Sequence, residues 1–335
     1  AMTVGGLAIY KGVSSIEKVN KILIPVLLGI VILSVLRAVS LPGSFEGITY
    51  LFTPDWSQLK RPGIWVDALA QNAFDTGAGF GLFLTYAIYI RKRYGVVKNA
   101  FTTAIGNNIV SLMAAIMIFS TVFSILGNEM GMNKSEILEI MKTSGPAATG
   151  LTFIWMPQLF AKMALGKPLA ILFFLGLSFA GFSSLISMLE LAVRNLIDFG
   201  VKRSSAVMWI VGASFIMGIP SAMSLEILGD QDFVWSVGLI ISGVLMAIAA
   251  IKYGLSRMID EVTVESQGDW AFPRLWPITI KFIAPFVGIV LVGWWMIESP
   301  SFFLTCLVQW GLVLVIFFLI NDYMNKRITE NLDTF

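Results

Sequence analysis

Residues 71 to 86 read QNAFDTGAGFGLFLTY, which sets one carboxylate, Asp75, just ahead of three glycines, Gly77, Gly79 and Gly81. The stretch lies inside an apolar run from Ala68 to Ile90, long enough to cross a bilayer. An ionisable group inside a membrane costs at least ~2.5 kcal/mol on insertion scales, so Asp75 calls for a cation, a proton or a polar partner. Two other polar sets share the apolar setting. In AIGNNIVSLM, Asn107 and Ser111 stand four residues apart and fall on one helix face. In SFAGFSSLISML, Ser183 and Ser184 follow Ala180 by one turn. Amide and hydroxyl oxygens are hard neutral donors, suited to a monovalent alkali cation and poor for zinc. A lone serine in a span more often makes an interhelical hydrogen bond worth roughly 0.6 kcal/mol; the whole set, beside a carboxylate, points to an ion site. The chain has no histidine, so imidazole catalysis and the commonest metal ligand are absent. Its one cysteine, Cys306, excludes an intramolecular disulfide and reads as a small buried or lipid-facing residue rather than a reactive thiol.

The elements that must position these residues follow from composition. Hydrophobic residues make up 57% of the 335-residue chain, 13% of residues are charged, and the mean hydropathy is +0.82. A soluble domain carries about a quarter charged residues, so this is a polytopic membrane protein whose surroundings are a lipid bilayer. The net charge of +2 is too small to suggest nucleic acid as a partner. Apolar runs of membrane-spanning length fall near 19–40, 64–91, 97–127, 167–199, 204–221, 232–254, 276–298 and 301–321, eight expected spans. All read as helices, because the strands of a barrel would alternate at every second residue. Two shorter charged pieces, near 134–143 and 150–164, read as surface helices across one mouth.

Loop charge orients the spans. With the N-terminus inside, the inner loops gather Lys18, Lys21, Arg91, Lys92, Arg93, Arg194, Lys202, Arg203 and most other bases. Arg37, Lys60, Arg61, Lys134, Lys142, Lys162 and Lys167 fall outside. The excess of inner Lys and Arg places both termini in the cytoplasm. Trp65, Trp235, Trp294 and Trp295 lie near span ends, as an aromatic belt requires. No low-complexity segment or long linker interrupts the chain, so a single membrane domain over 1–335 is expected. The opening residues, AMTVGGLAIYKGVSSIEKVNK, lack the features of a signal peptide and read as the tail of a preceding element.

The span at 64–91 is expected to break. Residues 64–76 make about 20 Å of helix at ~1.5 Å per residue, short of a ~30 Å hydrocarbon core. The glycines that follow accept backbone angles other residues resist. A break in mid-membrane leaves carbonyls free at one half-helix and amides at the other, and it survives only in a cavity or inside protein. The carbonyl end attracts a cation and the amide end an anionic group. The glycines alone would equally fit close helix packing; Asp75 favours the binding site.

These stretches resemble the sodium:neurotransmitter symporter family, the amino-acid and amine transporters with the leucine-transporter fold. GIWVDALAQNAFDTGAGFG is similar to the family's unwound sixth helix, LTYAIYIRK to its inner end, and AGFSSLIS to the eighth helix. IEKVNKILIPVLL resembles the fifth helix and DQDFVWSVG the start of the tenth. The resemblance runs from the end of the fourth helix through the twelfth, and the fold is built from inverted repeats with broken helices. It implies an all-α membrane protein holding the second inverted repeat, residues 64–254, with its flanking helices. The family's first helix, itself unwound, and its second and third find no counterpart, so the chain is expected to be a C-terminal fragment of a longer parent and not to transport by itself.

The resemblance also implies roles. One sodium site takes Asp75 and Asn107, and a second takes the Ala180 carbonyl with Ser183 and Ser184. Substrate contacts come from Phe74, Gly77, Phe80, Ser183 and Met188. Asp232 resembles the outer-gate acid, and Asp198 the inner-gate acid with Tyr89 near it. Gln71, Asn107 and Ser111, around Asp75, match the chloride site of chloride-dependent members. The family commonly has serine or threonine where this chain has Asp75. A fixed carboxylate there supplies the negative charge that chloride supplies elsewhere, and two anions so close in a low-dielectric site repel. Chloride is therefore expected not to be required.

The expected function is sodium-coupled symport of a small amino acid, with a bulky apolar or aromatic side chain, across the cytoplasmic membrane. No enzyme chemistry is needed. Two alternatives stay open at this point: a proton-coupled amino-acid transporter of related fold with Asp75 as carrier, and a non-transporting membrane sensor or channel.

Overall fold

The computed structural model describes residues 1–10, 13–77, 79–89, 95–142, 150–162, 165–265, 269–298 and 300–332, and no strand occurs among them. Helices α1 (Met2–Tyr10), α2 (Val13–Val39) and α3 (Ser44–Leu51) open the chain. Next come α4 (Pro62–Thr76) and α5 (Leu82–Ala87), then α6 (Val96–Val122), which widens into a π-helical turn at Phe123–Glu129. After α7 (Lys134–Lys142) and α8 (Met156–Lys162) run the long α9 (Gly166–Asp198), α10 (Arg203–Met223) and α11 (Leu225–Tyr253). Then follow α12 (Leu255–Glu265) and the short α13 (Trp276–Ile278), which passes through a further π-helical turn, Thr279–Ile283, into α14 (Ala284–Glu298). The last helix is α15 (Pro300–Leu332).

Among the described residues, seven helical segments are long and apolar enough to cross a membrane. They match seven of the eight expected spans. The eighth, 64–91, is the interrupted one: α4 stops at Thr76 and α5 begins at Leu82. Long helices end where glycine turns the backbone left-handed. After α9, Gly200 has φ 84°, and the amides of Gly200 and Val201 satisfy the Ile197 and Leu196 carbonyls at 2.8 and 3.1 Å. After α11, Gly254 takes φ 102° and its amide bonds the Ala250 carbonyl at 3.1 Å.

The chain falls into two compact units, each assembled from three separated segments. The first comprises Ala1–Trp56, Ile109–Leu189 and Val207–Asp230. Its core joins Leu41, Val122, Phe123, Ile125 and Leu126 to Ile137, Met156, Leu159 and Phe160. The pieces expected as surface helices thus send buried side chains from α7 and α8 into this core. Gly47 of α3 lets the backbone cross α6 closely, since a Cβ there would stand 2.3 Å from the Phe119 carbonyl oxygen.

The second unit comprises Ser57–Asn108, Glu190–Ala206 and Gln231–Phe335. Its core gathers Val66 and Ala70 of α4, Val234, Val237 and Ile240 of α11, Leu291, Val292 and Trp295 of α14, and Cys306 of α15. Trp295 packs on Phe233 with ring centroids 4.9 Å apart, so it is a core residue rather than part of an aromatic belt. Cys306 is fully buried, as a small apolar filler would be.

Candidate functional site

The interrupted span belongs to the second unit. Gly77, Gly79 and Gly81 take φ values of 72°, 84° and 82°, all in the left-handed region that glycine alone enters without strain. The Phe80 amide bonds the Gly77 carbonyl at 3.3 Å, a single turn rather than helix. Gly81 then starts α5, where the Thr85 amide and hydroxyl both donate to its carbonyl, at 3.0 and 3.2 Å. Asp75 lies in the last turn of α4, and no basic residue shares that turn. Helix C-termini carry partial negative charge, so the carboxylate faces the end of the helix that disfavours it. Gln71 Nε2 donates to Asp75 Oδ1 at 2.9 Å, bringing together two members of the expected anion-site set.

The other expected residues are distributed between the units. Asn107, on α6 in the second unit, has its Nδ2 buried with no hydrogen-bond partner among the described residues. Rotation of the amide would bring Oδ1 to the same place, so the position suits a ligand oxygen. Ser111 follows on α6 but counts with the first unit, as do Ala180, Ser183, Ser184 and Met188 on α9. There the Ser183 carbonyl accepts the Ser187 hydroxyl at 3.1 Å. Ser183 is half-buried, while Ser184 and Met188 are exposed. Phe80 is half-buried in the stretch after the break, and the side chain of Phe74 lies outside the described residues. A Cβ on Gly77 would meet Leu82 Cδ1 at 3.3 Å and inherit the positive φ. That glycine therefore serves the backbone turn, and Leu82 occupies the space beside it.

Asp232 is exposed on α11. Asp198 accepts Arg194 Nη2 at 2.8 Å across one turn of α9. The Tyr89 hydroxyl donates to Glu190 Oε1 at 2.9 Å, and the Arg203 fork binds the same carboxylate at 3.1 and 2.6 Å. Glu190 is 0% exposed, so this carboxylate is neutralised wholly within the protein. Neither Glu190 nor Arg203 was expected at the site. The signal for Glu190 was present, since it is an acid inside an apolar span like Asp75.

An interrupted apolar span with a carboxylate at its break, beside seven further apolar helices among the described residues, defines a helical, multi-pass membrane protein. The family model for the sodium:neurotransmitter symporter family matches residues 1–325, and the chain belongs to that family, one of transporters rather than enzymes. It is 34% identical over 240 residues to an uncharacterized sodium-dependent transporter of Methanocaldococcus jannaschii, covering 71% of this chain and 46% of the relative. It is 31% identical over 288 residues to the sodium-dependent serotonin transporter of Drosophila melanogaster, covering 83% of this chain and 44% of the relative. The crystal structure of MhsT in complex with L-phenylalanine aligns with a TM-score of 0.73 at 30% identity, covering 88% of this chain and 66% of MhsT. The fold is accordingly the leucine-transporter fold. The chain spans about half the length of these two curated relatives.

Proposed function

We propose that this chain forms the ion- and substrate-binding part of a sodium-coupled amino-acid symporter, in a protein that also carries the family's remaining helices. The observation that carries the proposal is the break itself: an acid in the last turn of α4, a turn that holds no basic residue, and three left-handed glycines behind it. A cation at that helix end relieves both the carboxylate and the terminal carbonyls. Asp75 and Asn107 are assigned to one sodium ion, and the Ala180 carbonyl with Ser183 and Ser184 to another. Phe74, Gly77, Phe80, Ser183 and Met188 are assigned to the substrate, with Gly77 contributing backbone alone.

Phenylalanine bound to MhsT supports an aromatic or bulky apolar substrate, and a phenyl ring on Phe80 gains ~0.5–1.5 kcal/mol beyond its burial. Chloride is not required, because Gln71, which an anion would need, already donates to the Asp75 carboxylate. Asp232 is assigned to the outer gate, and Asp198 with Tyr89 to the inner one. Both ends of the chain face the cytoplasm, with the second inverted repeat at 64–254. Sodium and substrate together favour closure around the break, and inward opening follows.

The test is a sodium titration of phenylalanine binding in the full-length protein, run beside a thermal melt. Replacing Ser183 and Ser184 by alanine removes two hard oxygens, so the sodium midpoint is expected to rise severalfold while stability falls by only about 1 kcal/mol. An unshifted midpoint would assign both serines to helix packing.

A further inference from the structure

The stretch between α4 and α5 is gripped from one side by α11. The Ser242 hydroxyl donates to the Gly79 carbonyl at 2.6 Å. A Cβ on Gly79 would stand 2.5 Å from the Leu239 carbonyl oxygen, a distance no side-chain carbon tolerates, so the two backbones touch. One residue pair further on, a Cβ on Gly81 would lie 3.7 Å from Met246 Cε. Leu239, Ser242 and Met246 are spaced i, i+3 and i+7 and form a stripe along one face of α11. The same helix is fixed on other sides. Gly288 of α14 admits Val244, whose Cγ2 would be 2.6 Å from a Cβ there. Trp310 Nε1 of α15 donates to the Val234 carbonyl at 3.2 Å.

A backbone carbonyl freed inside a membrane span must be satisfied by protein, water or ligand. Ser242 satisfies that of Gly79. The Phe80 amide bonds the Gly77 carbonyl, so holding Gly79 also restrains Gly77 and Phe80, the candidate substrate contacts there. We propose that Ser242 is a positioning residue for substrate: by holding Gly79 against α11, it sets where Gly77 and Phe80 stand before substrate arrives. The proposal rests on reading residues 74–81 as the substrate segment. Without the hydroxyl the stretch gains freedom that substrate must remove on binding, so apparent affinity falls while turnover, once the site is filled, does not.

The experiment compares wild type, Ser242→Ala and Ser242→Thr in the full-length protein by two measurements. One is amide hydrogen exchange across residues 76–85, with peptides from the rest of α4 and α11 as reference. The other is the concentration dependence of sodium-driven phenylalanine uptake. Ser242→Ala is expected to speed exchange in 76–85 by about fivefold, the scale of one hydrogen bond, with the reference peptides unchanged. KM should rise by a similar factor at constant maximal rate, and Ser242→Thr, which keeps the hydroxyl, should return both to wild-type values. Unaltered exchange in 76–85, equal acceleration throughout α4 and α11, faster exchange with unchanged KM, or failure of the threonine variant to restore would each overturn the proposal. If the wild type takes up no phenylalanine, the substrate reading fails, and the exchange measurement alone decides whether Ser242 holds the stretch.

Discussion

Asp75 and Glu190 both lie within apolar helices and count with the second unit, and their partners separate them. Glu190 receives Tyr89 and both arms of the Arg203 fork. Removing one partner of a buried pair costs far more than the pair contributes, because the other charge is stranded. Arg203→Ala is therefore expected to destabilise by about 3 kcal/mol, and Glu190→Gln in the same chain should recover part of that loss. Melting of the two variants in detergent checks this; a single variant that melts with the wild type would remove the pair from the stability of the unit. Asp75 has a neutral partner, Gln71, and a helix C-terminus beside it. In the proposed function its charge balances a sodium ion. Uptake by the full-length protein is expected to be equal in chloride and gluconate, and Asp75→Ser is expected to fail in gluconate. A wild type that needs chloride would contradict the fixed-charge role, and a variant unaffected in both buffers would take Asp75 out of the mechanism. Asp75 was legible in the sequence because an acid precedes three glycines. The Glu190 pairing was not, because Arg203 lies 13 residues on, beyond the end of α9, and chain spacing does not show that the start of α10 returns to it.

At the scale of elements, the helix expected over 64–76 and its break match α4 and the glycine turn closely, since length, acid and glycines all act locally. Contacts that reach across the chain left no local mark. Asp269, on the link before α13, accepts the amides of Val97 and Lys98 at 2.8 and 2.9 Å and so caps the start of α6. Gly95 makes room for it, since a Cβ there would be 2.3 Å from Asp269 Oδ1. Desolvation pushes the Asp269 carboxyl up, but the amides of Lys98, Val97, Trp270 and Val96 outweigh it and hold the carboxyl below its ordinary value. A lowered folded-state value means the stabilisation is fully present above the unfolded carboxyl's pKa of about 3.9, and it is lost as pH falls through the folded value. Asp269→Ala is expected to cost about 1 kcal/mol at neutral pH, as lost caps do, with the two melting curves converging as pH falls below that range. Curves that stay parallel down to acid pH would assign the loss to something other than the charged cap.

At the scale of the whole chain, membrane class and family were legible because composition and the GIWVDALAQNAFDTGAGFG stretch are written continuously. The division into two units was not, because each collects three separated segments and no shift in composition marks their borders. The chain spans about half the length of these relatives, so function at this scale is proposed of a protein with all the family's helices. In the proposed function, sodium drives an amino acid through the segment around the break. The most direct measurement places the full-length protein in sealed proteoliposomes and follows labelled phenylalanine under an inward sodium gradient, an inward proton gradient, or neither. Accumulation above the external concentration with sodium alone, collapsing when the sodium gradient is dissipated, is the expected result. Equal accumulation driven by protons without sodium, or saturable binding with no accumulation under any gradient, would contradict it.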